Sequence, residues 1–285
     1  MNSRHTALVR ILGFVLLGIF LWAGCAWDLG QAVFHPSTEQ RVRESLSGDL
    51  GVPAPVSAGP DSFCFAMFGD PQIRSDHRHL FDRFKQDVES RGMDFFAVLG
   101  DLTHDATADE VEVLKGLLEG VGIPYYVTIG NHDLYQRDGW VRYKDNFGPS
   151  CYSVVIADAV KIILLDTAGG TIGETQFDWL ERELDDGGRH VKVVGTHFPC
   201  YAGSVPLMGR MASGAERYKL QHLLQEHDVY AYVSGHIHAW RHTAIGGVHH
   251  FIVGTMNPYG LDYGKEGYLL FSFACGSLSW EHVEF

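Results

Sequence analysis

Five short stretches of this 285-residue chain hold residue types that bind metal ions and move protons. Asp70 and Gln72 stand in GDPQ, Asp101, His104 and Asp105 in GDLTHD, Asn131, His132 and Asp133 in GNHD, His197 in GTHFP, and His236 and His238 in GHIH. Carboxylate oxygens and imidazole nitrogens suit divalent first-row metals, while the absence of cysteine from the set argues against a structural zinc site. Glycines before Asp70, Asp101, Asn131 and His236 permit sharp turns and close backbone approach, which several ligands crowding one ion require. A lone histidine is usually a satisfied core or surface residue. The case for a site rests on the grouping.

Such groups act together only if the fold brings them to one place. From Ser62 onward, apolar runs of strand length alternate with amphipathic stretches of helix length: FCFAMF, a helix near 78–91, DFFAVLG, a helix near 108–121, YYVTIG. That alternation predicts an α/β sheet whose functional loops leave the carboxyl ends of the strands, and every block named above falls at such an end. YSVVIADAVKIILLDT predicts two strands around a tight turn. Helices near 175–185 and 215–226 and strands at VKVVGT, VYAYVSG, 247–254 and 267–274 complete the expectation. Trp179, Leu180 and Leu184 have the spacing of a core face.

In order and spacing the five blocks resemble the signature of the calcineurin-like metallophosphoesterases, over residues 63–255 and including FDWLERELD. The resemblance implies an α/β fold of four layers, an α/β/β/α sandwich with two mixed β-sheets. It also implies two divalent ions (Mn, Fe, Zn or Mg) at one sheet edge. Asp101 would bridge them; Asp70, Gln72 and His238 would complete one ion, and Asn131, His197 and His236 the other. A hydroxide held between the ions would attack phosphorus, with His132 contacting a phosphoryl oxygen or protonating the leaving group. Asp105, or else Asp133, would fix the His132 tautomer. Two departures stand out. Most relatives carry His where this chain has Gln72, and an amide oxygen is a harder, weaker donor, which favours manganese or magnesium over zinc, manganese being our expectation. His104 occupies the place where the purple acid phosphatase branch has an iron-binding Tyr, so a ferric centre is not supported and His104 is expected to line the substrate groove.

The rest of the chain sets limits. Thirty-five acidic against 22 basic residues leave a net charge of −13, and no basic stripe suggests nucleic acid or an anionic lipid surface as partner. Arg4 and Arg10 precede a 17-residue apolar run from Ile11 to Trp27. Residues 1–28 therefore read as a hydrophobic helix serving as single-pass anchor, as a lipoprotein signal ending at Cys25, or as a cleaved signal, each placing the catalytic domain outside the cytoplasm in the cell envelope. Residues 29–61, with four prolines, read as a linker with room for one short helix, and 62–285 as the metallophosphoesterase domain. Cys64, Cys151, Cys200 and Cys275 adjoin apolar runs and are expected as small buried thiols. His242, His249 and His250 follow the last block and are expected at the surface. In the loop 201–214, Tyr201 and Arg210 either cap the site, touching a phosphate or head group, or are solvated.

The function expected is hydrolysis of a phosphate monoester or diester on a phosphorylated small-molecule or lipid-linked substrate. The alternative is a catalytically weak binding or scaffold protein on the same fold.

Overall fold

The computed structural model describes residues 35–74, 78–201, 209–257 and 266–285. The expected hydrophobic helix within residues 1–28 lies outside them, and among the described residues no helix is long and apolar enough to cross a membrane.

Two mixed sheets stack face to face. The first has the order β11-β10-β1-β2-β3, built from β1 (Ser62–Phe68), β2 (Phe95–Leu99), β3 (Tyr125–Thr128), β10 (Gly267–Ala274) and β11 (Ser277–Glu284). β1, β2 and β3 run parallel, and β10 and β11 add antiparallel to the β1 edge. The second has the order β4-β5-β6-β7-β9-β8, from β4 (Tyr152–Ile156), β5 (Val160–Leu164), β6 (Val191–Thr196), β7 (Ala231–Ser234), β8 (Arg241–Ile245) and β9 (Val248–Ile252). Its four inner strands are parallel and both edges antiparallel.

Strand side chains alternate between faces, so each sheet feeds two apolar layers. Phe63, Phe65 and Met67 of β1 meet Val154, Ile162, Val193 and Phe251 between the sheets. Ala66 and Phe68 turn the other way, onto α2 (Arg78–Arg91), α3 (Ala108–Val121) and α4 (Gly139–Phe147), whose Phe84, Leu114 and Trp140 cover that face. The outer face of the second sheet packs on α5 (Glu174–Leu184) and α6 (Gly214–Glu226) through Phe177, Leu180 and Leu220. Three apolar layers between four layers of elements follow, as the family resemblance implies.

Some elements were not expected. These are α4, β8 and β11; β8 is exposed along nearly its whole length and so shows no apolar alternation. Cys275 is exposed rather than buried, because with Gly276 it forms the positive-φ turn of the β10–β11 hairpin. All four described cysteines are free thiols. His250 is buried, not on the surface: it faces Cys200 Sγ at 3.6 Å.

The stretch read as a linker is partly built into the domain. Ser37 caps α1 (Thr38–Ser45) in a reciprocal capping box with Gln40, which satisfies two of the first-turn donors. Val42 joins the outer core of the second sheet. Arg41, 2 % exposed, reaches the loop after β5: its Nε and Nη2 each donate to an Asp166 carboxylate oxygen at 2.8 Å. A bidentate pair in this setting satisfies both charges, but removing one partner strands the other in the interior. Arg41→Ala is therefore expected to lower the unfolding free energy by about 3–5 kcal/mol, read as a reduced urea midpoint, with Arg41→Lys recovering part of it. A midpoint unchanged in Arg41→Ala would show that the pair contributes little.

Candidate metal centre

The parallel strands of both sheets deliver their carboxyl ends to one edge, and the five blocks meet there. Asp70 leaves β1, Asp101 leaves β2, Asn131 leaves β3, His197 leaves β6, and His236 and His238 leave β7. Asp70 and His197 are fully buried, Asp101 is 1 % exposed and Gln72 5 %. Five of these residues, Asp70, Gln72, Asp101, His236 and His238, hold positive φ between 41° and 69° although none is glycine. Such backbone costs on the order of 1–3 kcal/mol per residue and persists only where the surroundings enforce it. Close approach is enforced as well: a Cβ at Gly130 would collide with the Asp101 backbone, and one at Gly235 would come within 2.5 Å of Asp70 Oδ2.

The carboxylates are held before any cation is considered. His132 N–H donates to Asp101 Oδ1 at 2.8 Å, and His236 N–H donates to both Asp70 oxygens at 3.0 and 2.9 Å. Asp133, buried, accepts from the backbone N–H groups of Leu102, Thr103 and Gly130 and from the Thr103 hydroxyl, tying two of the loops together. Burial and the Asp101 charge push the Asp133 carboxyl up to about 6, against the pull of those backbone donors. Asp133 is thus a cross-tie between loops, its two oxygens occupied by these donors rather than by the His132 ring.

Two donor clusters share one residue. Ligand atoms of Asp101, His197 and His236 lie within 4.8 Å of one another, and so do those of Asp70, Asp101 and His238. Around His197 Nε2 stand three acceptors: Asn131 Oδ1 at 3.0 Å, Asp101 Oδ1 at 3.2 Å and His236 Nδ1 at 3.2 Å. Its other nitrogen, Nδ1, donates to the Leu99 carbonyl at 2.9 Å. So many polar atoms converging on one point suit a cation, since a single proton on Nε2 can serve them only in turn. The donor chemistry therefore fits a divalent ion in each cluster.

The protonation pattern follows from this crowding. Burial disfavours the His197 imidazolium, but the Asp101 carboxylate overrides it and raises His197 to about 9. Burial and then the charged His197 push His236 down to about 3. Burial opposes ionisation of Asp101 too, yet the surrounding imidazoles hold its carboxyl well below the ordinary range.

Not every expected residue sits as expected. His132 Nδ1 donates to the His104 backbone carbonyl at 2.7 Å, so that carbonyl, not Asp105, fixes the tautomer. Asp105 is more than half exposed and lies 3.8 Å from His104 Nε2. The reason is local: after His104 the chain turns toward the helix cap of α3, where Glu110 accepts from the Asp105 and Thr107 N–H groups. Gln72 turns its amide nitrogen, not its oxygen, to Asp101 Oδ2 at 3.1 Å, while its oxygen accepts from Asn257 Nδ2 at 2.9 Å. As an oxygen ligand Gln72 must rotate, with Asn257 turning in step. Tyr201 is exposed and Arg210 partly buried, both outside the two donor clusters. Trp240, two residues past the GHIH block, stacks on His282, ring centres 3.8 Å apart.

Three residues escaped the sequence reading. Arg74 bonds His104 Nε2, the Tyr135 hydroxyl lies 3.2 Å from His132 Nε2, and Asn257 holds Gln72. Asn257 follows the carboxyl end of β9, so the strand-end rule that found the others covers it.

Fold and site together define an α/β/β/α phosphoesterase scaffold. The family model for calcineurin-like phosphoesterases matches residues 48–240, more than half of the chain, and the protein belongs to that family. Among curated relatives, a probable cyclic nucleotide phosphodiesterase of Fibrobacter succinogenes is 29 % identical over 147 residues, 46 % of this chain and 57 % of that one. A probable glycerophosphodiester phosphodiesterase of Arcobacter nitrofigilis is 26 % identical over 159 residues, 51 % of this chain and 56 % of that one. The matches thus span little more than half the length of these relatives. A dimetal phosphatase from Danio rerio shares the fold with a TM-score of 0.62 at 13 % identity, covering 78 % of this chain and 96 % of that one. The yellow lupin (Lupinus luteus) purple acid phosphatase does so with a TM-score of 0.66 at 17 % identity, covering 81 % and 52 %.

A pH dependence follows. With metal chelated, the raised His197 contributes stability that is complete below its ordinary value of 6.5 and is lost as pH rises through about 9. His236, depressed, costs stability as pH falls from 6.5 toward 3. The chelated protein should therefore unfold most reluctantly near pH 6.5. By about pH 9.5 it should lose on the order of 3 kcal/mol, since each pH unit that separates the folded from the unfolded value is worth about 1.4 kcal/mol. If the cluster holds a divalent ion, saturating manganese should abolish the alkaline loss, since an ion at Nε2 would replace its proton. A melting temperature flat over this range in chelator, or an alkaline loss that survives manganese, would contradict the assignment of His197.

Proposed function

We propose that this protein is a divalent-metal-dependent phosphodiesterase acting on a phosphorylated small molecule. The observation that carries the reading is Asp101, one buried carboxylate common to both donor clusters, with His132 Nε2 at 3.8 Å from its Oδ2. In this reading Asp70, Gln72 and His238 complete one ion and Asn131, His197 and His236 the other. Two such ions, when bound, would lower the pKa of bound water and offset the charge on the phosphate. The names of the curated relatives favour a diester over a monoester.

The chain's own residues have definable tasks. The His104 carbonyl takes the Nδ1 proton of His132 as a hydrogen bond, which leaves Nε2 as the nitrogen that faces the site. A proton carried there reaches the alkoxide that departs from phosphorus, and the Tyr135 hydroxyl beside Nε2 steadies the ring. Arg74, on the His104 flank, adds positive charge where the rest of the substrate would lie. Residues 1–28 act in this reading as export signal or anchor placing the domain in the cell envelope, supported by Arg4 and Arg10 ahead of the apolar run. The intact mass of the mature N-terminus separates anchor, lipidated Cys25 and cleaved signal.

The test is turnover of manganese-loaded protein on bis(p-nitrophenyl) phosphate and p-nitrophenyl phosphate. The diester should be preferred, and His132→Ala should lower kcat by about 10²–10⁴-fold while two ions stay bound. Activity on the monoester alone would overturn the diester assignment. Inactivity of the fully loaded protein would favour the binding or scaffold alternative.

Manganese is the proposed ion because Gln72 offers an amide where imidazole would favour zinc. Gln72→His should shift metal preference toward zinc at one of the two sites, measured by competitive titration. An unchanged preference would place Gln72 outside the coordination sphere.

A further inference from the structure

Residues flanking two of the proposed ligands are bonded to a single loop, 165–168, that no block includes. The Thr167 hydroxyl accepts from Phe198 N–H at 2.8 Å and pairs with the Thr196 hydroxyl at 2.7 Å, so it grips the chain on both sides of His197. Two residues earlier, the Leu165 carbonyl accepts from Thr128 Oγ1 at 2.8 Å, at the end of the strand that leads to Asn131, and from Thr196 Oγ1 at 3.3 Å. Asn131 and His197 fall in the same proposed coordination sphere. The other sphere is braced from a different side: the Asp70 carbonyl accepts from Thr255 Oγ1 at 2.8 Å, and His238 Nε2 lies 3.3 Å from Asp70 Oδ1.

The loop is itself pinned through Asp166. Gln176 of α5 holds its backbone, donating to the carbonyl and accepting from the N–H, each at 2.8 Å. Its carboxylate takes the Arg41 fork from α1, and its Oδ1 also accepts from Ala168 N–H at 3.1 Å. Arg41 lies upstream of residue 48, where the family match begins.

We propose that α1 is a positioning element of the metal centre: Arg41, through Asp166 and Thr167, sets the strand ends that present Asn131 and His197. The inference rests on reading Asn131, His197 and His236 as ligands of one ion. It goes beyond docking of the helix, which the Arg41–Asp166 pair also supports, because docking alone would affect both ions alike. Positioning selects one of them.

Two readouts on the full chain test it: manganese titration of chelator-treated protein by calorimetry, and amide exchange at Phe198 without metal. Wild-type protein should bind two ions. Thr167→Val, which keeps the shape and removes the hydroxyl, should weaken one ion by about tenfold and leave the other within about twofold. Thr167→Ser should restore the binding. Arg41→Met should weaken the same ion by a smaller factor, and both Thr167→Val and Arg41→Met should speed exchange at Phe198. Equal weakening of both ions, or wild-type affinities with wild-type exchange at Phe198, would overturn the proposal. A wild-type chain that binds no manganese would remove the metal reading itself. Exchange at Phe198 then judges the coupling separately, and an unchanged rate in Arg41→Met overturns it. If Arg41→Met fails to fold, Arg41→Lys decides: it should weaken the same ion and speed exchange at Phe198, and wild-type values of both would overturn the proposal.

Discussion

Asp101 places a carboxylate at the point where the two sheets' strand ends meet, almost wholly out of water. A charge taken out of water costs several kcal/mol unless partners replace the solvent, and everything around Asp101 is arranged as that replacement. The His132 N–H and the Gln72 amide donate to its two oxygens, and the His197 ring faces it at 3.2 Å. These partners come from the ends of three different strands. Moving any strand by one register step would therefore strand the charge, and the sheet order, the loop glycines and the close approach at Gly130 all answer to that one constraint.

The same constraint explains the backbone. Left-handed φ at Asp70, Gln72, Asp101, His236 and His238 is unfavourable for each residue taken alone. It turns side chains inward at strand ends that would otherwise continue outward. The deep three-layer core stabilises the elements that hold these turns, so strain is concentrated at the strand ends that form the two donor clusters.

Much of this was legible in the sequence, for a physical reason: strand and helix periods are local, and the five blocks sit at the junctions those periods define. The helices near 78–91 and 108–121 and the hairpin across 151–167 needed no knowledge of the rest of the chain. What escaped depends on contacts distant in sequence. The docking of α1 rests on Arg41 meeting Asp166, a pairing that no local pattern encodes. His250 is buried because β9 is covered on the side that faces Cys200, and Cys275 is exposed because a two-residue turn needs positive φ there. The tautomer of His132 shows the difference most plainly. A carboxylate of the blocks, Asp105 or else Asp133, looked the natural partner, yet a backbone carbonyl, which every residue possesses and no sequence displays, takes the role.

The central claim is that one buried aspartate organises two cation sites. Anomalous diffraction from crystals soaked in manganese tests it most directly. The account predicts two peaks about 3.5–4 Å apart, with Asp101 between them. A single peak, or a pair that leaves Asp101 uncoordinated, would contradict it.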